Sequence, residues 1–235
     1  MRRKRGNQIL AAAMSAALMI PALPAIPAQA EAGAAEENGL CFQFDMENMD
    51  GNQITNTVTG QKYDISGNAA LEEGKEGSYA FRFKGNESID PGTEFQPVNE
   101  YTMMGWIKPD QGGKATQAVF SRGKSGNPSD YLALLTKDGK IVHNVAFGDG
   151  TSNSQYKQFL TPAGVTDEKW NHVAVTRSGS NVAAYINGEL VYSADNYPTS
   201  DFVEFQNPMY IGMDAGNDGS LWQEHAFTGA MDDLR

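Results

Sequence analysis

Two aromatic residues stand in polar stretches of the sequence, where a ring is available for recognition rather than packing. Trp222 lies in the segment DGSLWQEH, and Tyr156 lies in the segment TSNSQYKQ. The C–H face of a sugar packs on an aromatic ring, while its hydroxyls bond to nearby carboxylates and amides. We therefore predict Trp222 and Tyr156 as ligand-binding residues. The alternative, that either ring only plugs one end of the fold, stays open.

Other motifs that could carry chemistry are incomplete. The three histidines lack metalloprotease spacing, and no G-x-S-x-G elbow accompanies them. The tripeptide GKS lacks the phosphate-loop glycine, because Ala118 stands at that position. The segment DAGNDG places Asp214, Asp218 and Gly219 at positions 1, 5 and 6 of an EF-hand-like loop, but position 12 is His225 instead of an acid. We interpret this segment as a turn that binds at most a weak ion.

The first thirty residues have the order of a cleavable signal peptide. A basic run at residues 2–5 precedes an apolar stretch at residues 9–26, and the small-residue triplet AQA follows at residues 28–30. Three prolines near the end of the stretch argue against a membrane anchor. We predict a signal peptide over residues 1–30, a linker over 31–39 and a domain over 40–235. The protein is then secreted or held at the cell surface, with no membrane insertion after cleavage.

Charge and cysteine content narrow the choice of partners. Cleavage at residue 30 removes four of the 18 basic residues and none of the 29 acidic ones, so the net charge falls from −11 to −15. A nucleic acid or an anionic lipid surface is therefore an unsuitable partner. Cys41 is the only cysteine, so no internal disulfide can form, and packing or a metal must supply the stability.

The predicted domain shows strand periodicity throughout. In YAFRFK, Tyr79, Phe81 and Phe83 share one face of a strand, and the two basic residues share the other. Asp-Gly at 138–139 and Asn-Gly at 187–188 suit tight hairpins. The second hairpin completes a three-strand meander that begins near residue 170. This pattern predicts an all-β domain.

Two further tryptophans lie within this strand pattern. Because Trp106 and Trp170 belong to strand motifs, we predict that both rings lie in the core.

Seven segments occur in an order that resembles bacterial laminin G-like, concanavalin A-like domains. They are YTMMGWIKPD, VFSRGK, YLALLTKDGKI, WNHVAVTR, AAYINGELV, YIGM and FTGAMDDLR. The resemblance implies a jelly-roll sandwich of two antiparallel sheets. Members of this family usually continue past the DDLR segment, so the resemblance also predicts that the natural protein is longer and that a catalytic or cell-wall module could follow.

The resemblance also implies a structural calcium ion. Related folds hold the ion between the first strand, a glycine carbonyl after an early strand, and an aspartate on the last strand. Carried onto this sequence, those positions are Asp45, Gly85 and Asp232, with Asp233 as a substitute for Asp232. Hard oxygen ligands of this kind suit Ca²⁺. The alternative is that these acids are simply solvated at the ends of strands.

Because the resembling family includes glycosidases, glycoside hydrolysis must be tested on the residues of this chain. Glucanases of this fold carry a carboxylate pair on one strand, written roughly E-x-D-x-x-E, and no such segment occurs here. We therefore predict a non-catalytic recognition module that binds a glycan or an extracellular protein. The alternatives are a structural or adhesive spacer, and a hydrolase whose carboxylates come from different strands.

Overall fold

The computed structural model describes residues 39–68, 70–92, 100–122, 130–136, 138–147, 155–199, 209–215 and 220–235. The predicted signal peptide and all but the last residue of the predicted linker lie outside these ranges, so both stay predictions. In the part of the chain that is described, no helix is long and apolar enough to cross a membrane.

The described residues form short strands with only two isolated 3₁₀ turns, at Lys75–Gly77 and Gln223–His225. In chain order the strands are β1 Met49–Asp50, β2 Gln53–Thr55, β3 Lys62–Ser66, β4 Leu71–Glu73, β5 Tyr79–Lys84, β6 Ser88–Gly92, β7 Glu100–Pro109, β8 Thr116–Arg122, β9 Asp130–Thr136, β10 Lys140–Phe147, β11 Gln155–Gly164, β12 Asn171–Ser178, β13 Asn181–Ile186, β14 Glu189–Ala194, β15 Met209–Ile211, β16 Asp214–Ala215, β17 Leu221–Trp222 and β18 Thr228–Asp232.

Two antiparallel sheets pack face to face, which confirms the predicted jelly-roll sandwich. Among the described residues, one sheet has seven strands in the order β14-β13-β12-β7-β18-β5-β4, and the other has nine in the order β1-β2-β3-β6-β15-β8-β9-β10-β11. A separate two-stranded ribbon pairs β16 with β17. The last strand, β18, lies between β5 and β7 in the middle of the seven-stranded sheet.

Alternation along each strand separates the core from the outer faces. On β5, Phe81 and Phe83 are fully buried, while Arg82 between them is partly exposed. Tyr79 differs from the prediction because it begins the strand beside the edge strand β4, and it is 54% exposed. The aromatic core continues into the nine-stranded sheet through Phe120.

Both predicted hairpins are confirmed. Asn187 and Gly188 have φ angles of 54° and 82°, the two positive values that a type I′ turn requires, and they join β13 to β14. Gly139 has a φ of 69° between β9 and β10. The strands β12, β13 and β14 form the predicted meander.

Candidate functional site

The outer face of the seven-stranded sheet carries two grooves. The Trp106 groove, about 330 Å³ in volume, is lined by Gln43, Asp45, Lys75, Trp106, Asp232 and Asp233, among others. The Tyr185 groove, about 560 Å³, is lined by Thr176, Ser178, Asn181, Tyr185, Ser193 and Asp195, among others. Both grooves lie on the same face because side chains alternate along a strand. Ile107 follows Trp106 and Ile186 follows Tyr185, and both isoleucines point into the core.

The Trp106 ring is held on this face by neighbours on both sides. The register places His172 of β12 and Asp232 of β18 directly opposite Trp106 on β7. The His172 ring meets the indole edge to face, with 5.1 Å between the ring centroids, and Lys75 Nζ lies 5.0 Å from the indole centroid. The indole is partly exposed, so part of its surface remains accessible from the groove.

The carboxylates of the Trp106 groove are bonded within the protein. Asp232 is 3% exposed, and its Oδ2 accepts hydrogen bonds from the Lys75 backbone N–H at 3.0 Å and from the Ser78 hydroxyl at 2.6 Å. Burial raises the pKa of Asp232, and these hydrogen bonds oppose the rise. Asp233 accepts a 2.6 Å hydrogen bond from Gln43 Nε2. These acids therefore fix the groove wall.

The three candidate calcium ligands do not meet at one point. Asp45 and Asp232 line the same groove, but Gly85 follows the far end of β5 and lies beside Thr228, about 20 Å along the strand from Ser78. Asp45 Oδ1 also accepts hydrogen bonds from the Glu47 N–H and the Asn48 amide, so this oxygen is already engaged by donors of the protein.

Within the described ranges, no cluster of three or more His, Cys, Asp or Glu residues could hold a metal. Asp45, Gly85 and Asp232 therefore do not converge on one ion site in the described part of the protein. Calcium binding by this protein stays a prediction.

The Tyr185 groove has a different chemistry. Among its described lining residues, Asp195 is the one carboxylate and no basic side chain occurs, while the others are hydroxyl, amide or apolar side chains. In the part of the chain that the structure describes, no hydrogen bond engages the side chains of Thr176, Ser178, Asn181 or Ser193. These groups are available to hydroxyls of a ligand.

Trp222 lies apart from both grooves. It ends the ribbon strand β17, where its ring packs in a tilted arrangement against His225, with 4.4 Å between the ring centroids and a 31° angle between the planes. His225 Nδ1 lies 3.1 Å from Oδ2 of the fully buried Asp214. Lys114 Nζ donates a hydrogen bond to the carbonyl of Gln223 nearby. The indole packs within this cluster, and a ligand contact by Trp222 stays a prediction.

The second predicted aromatic contact is described only in part. The backbone of Tyr156 pairs with Ala146 at the edge of the nine-stranded sheet, while its side chain lies outside the described part of the protein. Its ligand contact likewise stays a prediction. The loop residue Asp218 also falls outside the described ranges.

The prediction that Trp106 and Trp170 lie in the core is wrong, because both rings are only partly buried. Lys108 Nζ lies 5.1 Å from the Trp170 centroid. The sequence YTMMGWIKP already indicated an outward position for Trp106, because alternation puts it on the same side as Thr102 and Lys108. Polar neighbours at that period mark an outer face.

His172 gives this face a pH-dependent stability. Burial lowers the pKa of His172, with Asp233 opposing and Arg235 adding to the shift. The unfolded chain therefore binds the proton more readily, and the folded state loses stability as the pH falls below about 6.5. Between pH 7.5 and 5.5 we expect the melting temperature of the native protein to fall more than that of His172→Gln. Equal changes in the two proteins would contradict this assignment.

Comparisons with known proteins agree on the fold. No protein of curated function matches the chain by sequence. Domain 4 of AbnA, a GH43 extracellular arabinanase from Geobacillus stearothermophilus, solved with arabinotriose, is 24% identical with a TM-score of 0.63. The similarity covers 83% of this chain and 89% of that domain.

A second similar structure is the CBM40 of Ruminococcus gnavus IT-sialidase bound to α2,3-sialyllactose. It is 19% identical with a TM-score of 0.51, over 70% of this chain and 89% of that one. The enzymatically active domain of tailspike protein 2 from bacteriophage CBA120 is 14% identical with a TM-score of 0.52, over 73% and 28%. At these identities the likeness establishes the fold.

The family is established by sequence. The family model of the concanavalin A-like lectin/glucanases superfamily matches residues 83–235, which include β7, β12, β13 and β18 of the grooved sheet. The chain therefore belongs to the concanavalin A-like lectin/glucanases superfamily.

Proposed function

We propose that this protein is a secreted, non-catalytic carbohydrate-binding module of a larger exported protein. The observation that carries the proposal is the Trp106 groove, where a partly exposed indole lies among carboxylate and amide groups. Sugar rings pack on aromatic faces while their hydroxyls bond to such groups. The predicted signal peptide over residues 1–30 supports secretion.

Similar structures add support. The arabinanase domain was solved with arabinotriose, and the sialidase module with sialyllactose. Both are folds of the same kind that hold an oligosaccharide, so glycan recognition is compatible with this sandwich. The superfamily includes both lectins and glucanases. The choice between binding and hydrolysis therefore depends on the residues of the candidate site.

Hydrolysis is the second candidate, because acids from separate segments line the Trp106 groove. Asp45, Asp232 and Asp233 all face it, and a raised pKa like that of Asp232 is a property of general acids. Its Oδ2, however, already accepts hydrogen bonds from a backbone N–H and from Ser78. We therefore assign Asp232 to the groove wall and propose binding without hydrolysis.

A tryptophan series tests the proposal. We expect Trp106→Ala to weaken binding to the best polysaccharide of a broad panel by tenfold or more, about 1.4 kcal/mol, as measured by affinity electrophoresis. The panel includes arabinan, xylan, β-glucan and mannan. Trp170→Ala is the matched control and is expected to keep the native affinity, and Trp222→Ala tests the alternative site that the sequence predicts. The same incubations are expected to release no reducing ends.

Each other outcome has a defined meaning. A loss of affinity only in Trp222→Ala would place the site at the ribbon, as the sequence predicts. The absence of binding to every polysaccharide would favour the spacer, and released reducing ends would establish a hydrolase. Melting temperatures of the three variants separate a lost contact from a lost fold.

A further inference from the structure

The two grooves lie on one sheet face, and the Arg235–Asp233 ion pair borders the floor between them beside Met104. Tyr185 on β13 is directly opposite Ala174 on β12, which is opposite Met104 on β7. Trp106 lies two residues along β7 from Met104 and opposite His172. The floor between the Tyr185 and Trp106 rings therefore consists of a small residue, a methionine and an imidazole whose lowered pKa favours the neutral form at pH 7.

The spacing of the two rings indicates the size of the ligand. Two interstrand steps and two residues separate Tyr185 from Trp106, or about 12 Å by standard strand geometry. One sugar ring cannot contact both aromatics across that span. A chain of sugars can, because successive rings repeat along its length.

The charge of both grooves indicates the chemistry of the ligand. Each cation of the Trp106 groove has an acidic partner: Lys75 Nζ lies 2.5 Å from Glu76 Oε1, and Arg235 Nη2 lies 2.9 Å from Asp233 Oδ2. The Tyr185 groove adds one acid, Asp195, and otherwise offers hydroxyl and amide groups. Among the described lining residues, neither groove presents an unpaired cation for a carboxylate sugar, so an uncharged ligand fits both best.

From these observations we infer that the two grooves are subsites for one linear, uncharged oligosaccharide that crosses β13, β12 and β7 from Tyr185 to Trp106. This inference rests on the proposed carbohydrate binding and adds the class of glycan. The hydroxyls of the chain bond to Thr176, Ser193 and Asn181 at one end, and its rings pack on the two aromatics.

Calorimetry with oligosaccharides of defined length tests the inference. The probes are arabino-oligosaccharides and cello-oligosaccharides of one to six units, together with lactose and α2,3-sialyllactose. We expect at least one neutral series to bind, with affinity rising at least tenfold between two and four units. Sialyllactose is expected to bind no more tightly than lactose.

Variants locate the second subsite. Tyr185→Ala is expected to weaken tetramer binding at least tenfold while leaving dimer binding unchanged. Tyr79→Ala is the matched control, since Tyr79 is exposed on the same sheet and lines neither groove. Ala183→Lys, which places a long side chain in the Tyr185 groove, is expected to reproduce the loss if Tyr185→Ala folds poorly.

Failures of the two ideas can be told apart. Equal affinity at every length, an unaffected tetramer in both groove variants, or tighter binding of sialyllactose would overturn the two-subsite inference. The two-subsite inference would also be overturned if this protein bound panel polysaccharides but neither oligosaccharide series. The proposal of carbohydrate binding would still stand in that case. Absence of binding to the whole polysaccharide panel would overturn both.

Discussion

Gly212→Ala is expected to lower the free energy of unfolding by about 2–5 kcal/mol, measured by urea denaturation. Gly212 has a φ of +83°, and a β-carbon built on it lies 2.5 Å from Cδ1 of Phe83, a fully buried core ring. The backbone cannot shift freely to relieve this overlap. The Gly212 N–H donates to the Val119 carbonyl, and its own carbonyl accepts from the Phe227 N–H.

A matched glycine separates the two causes of this loss. Gly188 has nearly the same φ, +82°, but a β-carbon there meets nothing within 4 Å. Gly188→Ala therefore reports the backbone cost alone, about 1–2 kcal/mol. If both variants lose the same stability, the overlap with Phe83 is relieved by small movements and our account of the Gly212 site is wrong.

The position of Gly212 shows which parts of the fold were accessible from sequence. The alternation in YAFRFK places Phe83 in the core, and the pair Asn187-Gly188 predicts its hairpin, because both depend on neighbouring residues. The approach of Gly212 to Phe83 joins residues far apart in the chain. No local pattern carries that contact.

The candidate site likewise contains residues whose proximity was predicted from the sequence and one whose position was not. The resemblance placed Asp45 and Asp232 together, and both line the Trp106 groove. Gly85 was grouped with them, yet the pairing of Lys84 with Thr228 sets it at the opposite end of β5. Strand register is a long-range property that a single segment does not encode.

The grooves themselves could not be predicted from these segments. Alternation puts Tyr185 and Trp106 on the outer faces of their strands, but whether that face is open depends on the walls around it. One wall of the Trp106 groove comes from Gln43, 190 residues before Asp233, and the Gln43 amide donates a hydrogen bond to Asp233. Such a wall becomes visible only after the chain has folded.

Asn56→Ala is expected to loosen this wall and to lower the free energy of unfolding by about 2–5 kcal/mol. Asn56 is fully buried, and its Oδ1 accepts hydrogen bonds from the backbone N–H groups of Gln43 at 3.1 Å and Val58 at 3.0 Å. Alanine leaves both donors without this acceptor, and each buried N–H without a partner costs about 1–3 kcal/mol. Urea denaturation measures the loss.

Asn52→Ala is the control, because Asn52 is exposed and its amide only donates to the Gly67 carbonyl. It is expected to cost less than about 1 kcal/mol. Equal losses in the two variants would show that Asn56 does not brace the Gln43 segment. If the brace is real, Asn56→Ala also weakens polysaccharide binding beyond the loss of folded protein, because Gln43 holds Asp233 at the Trp106 groove. Stability and recognition would then share one hydrogen-bonded segment, although Asn56 itself does not line the groove.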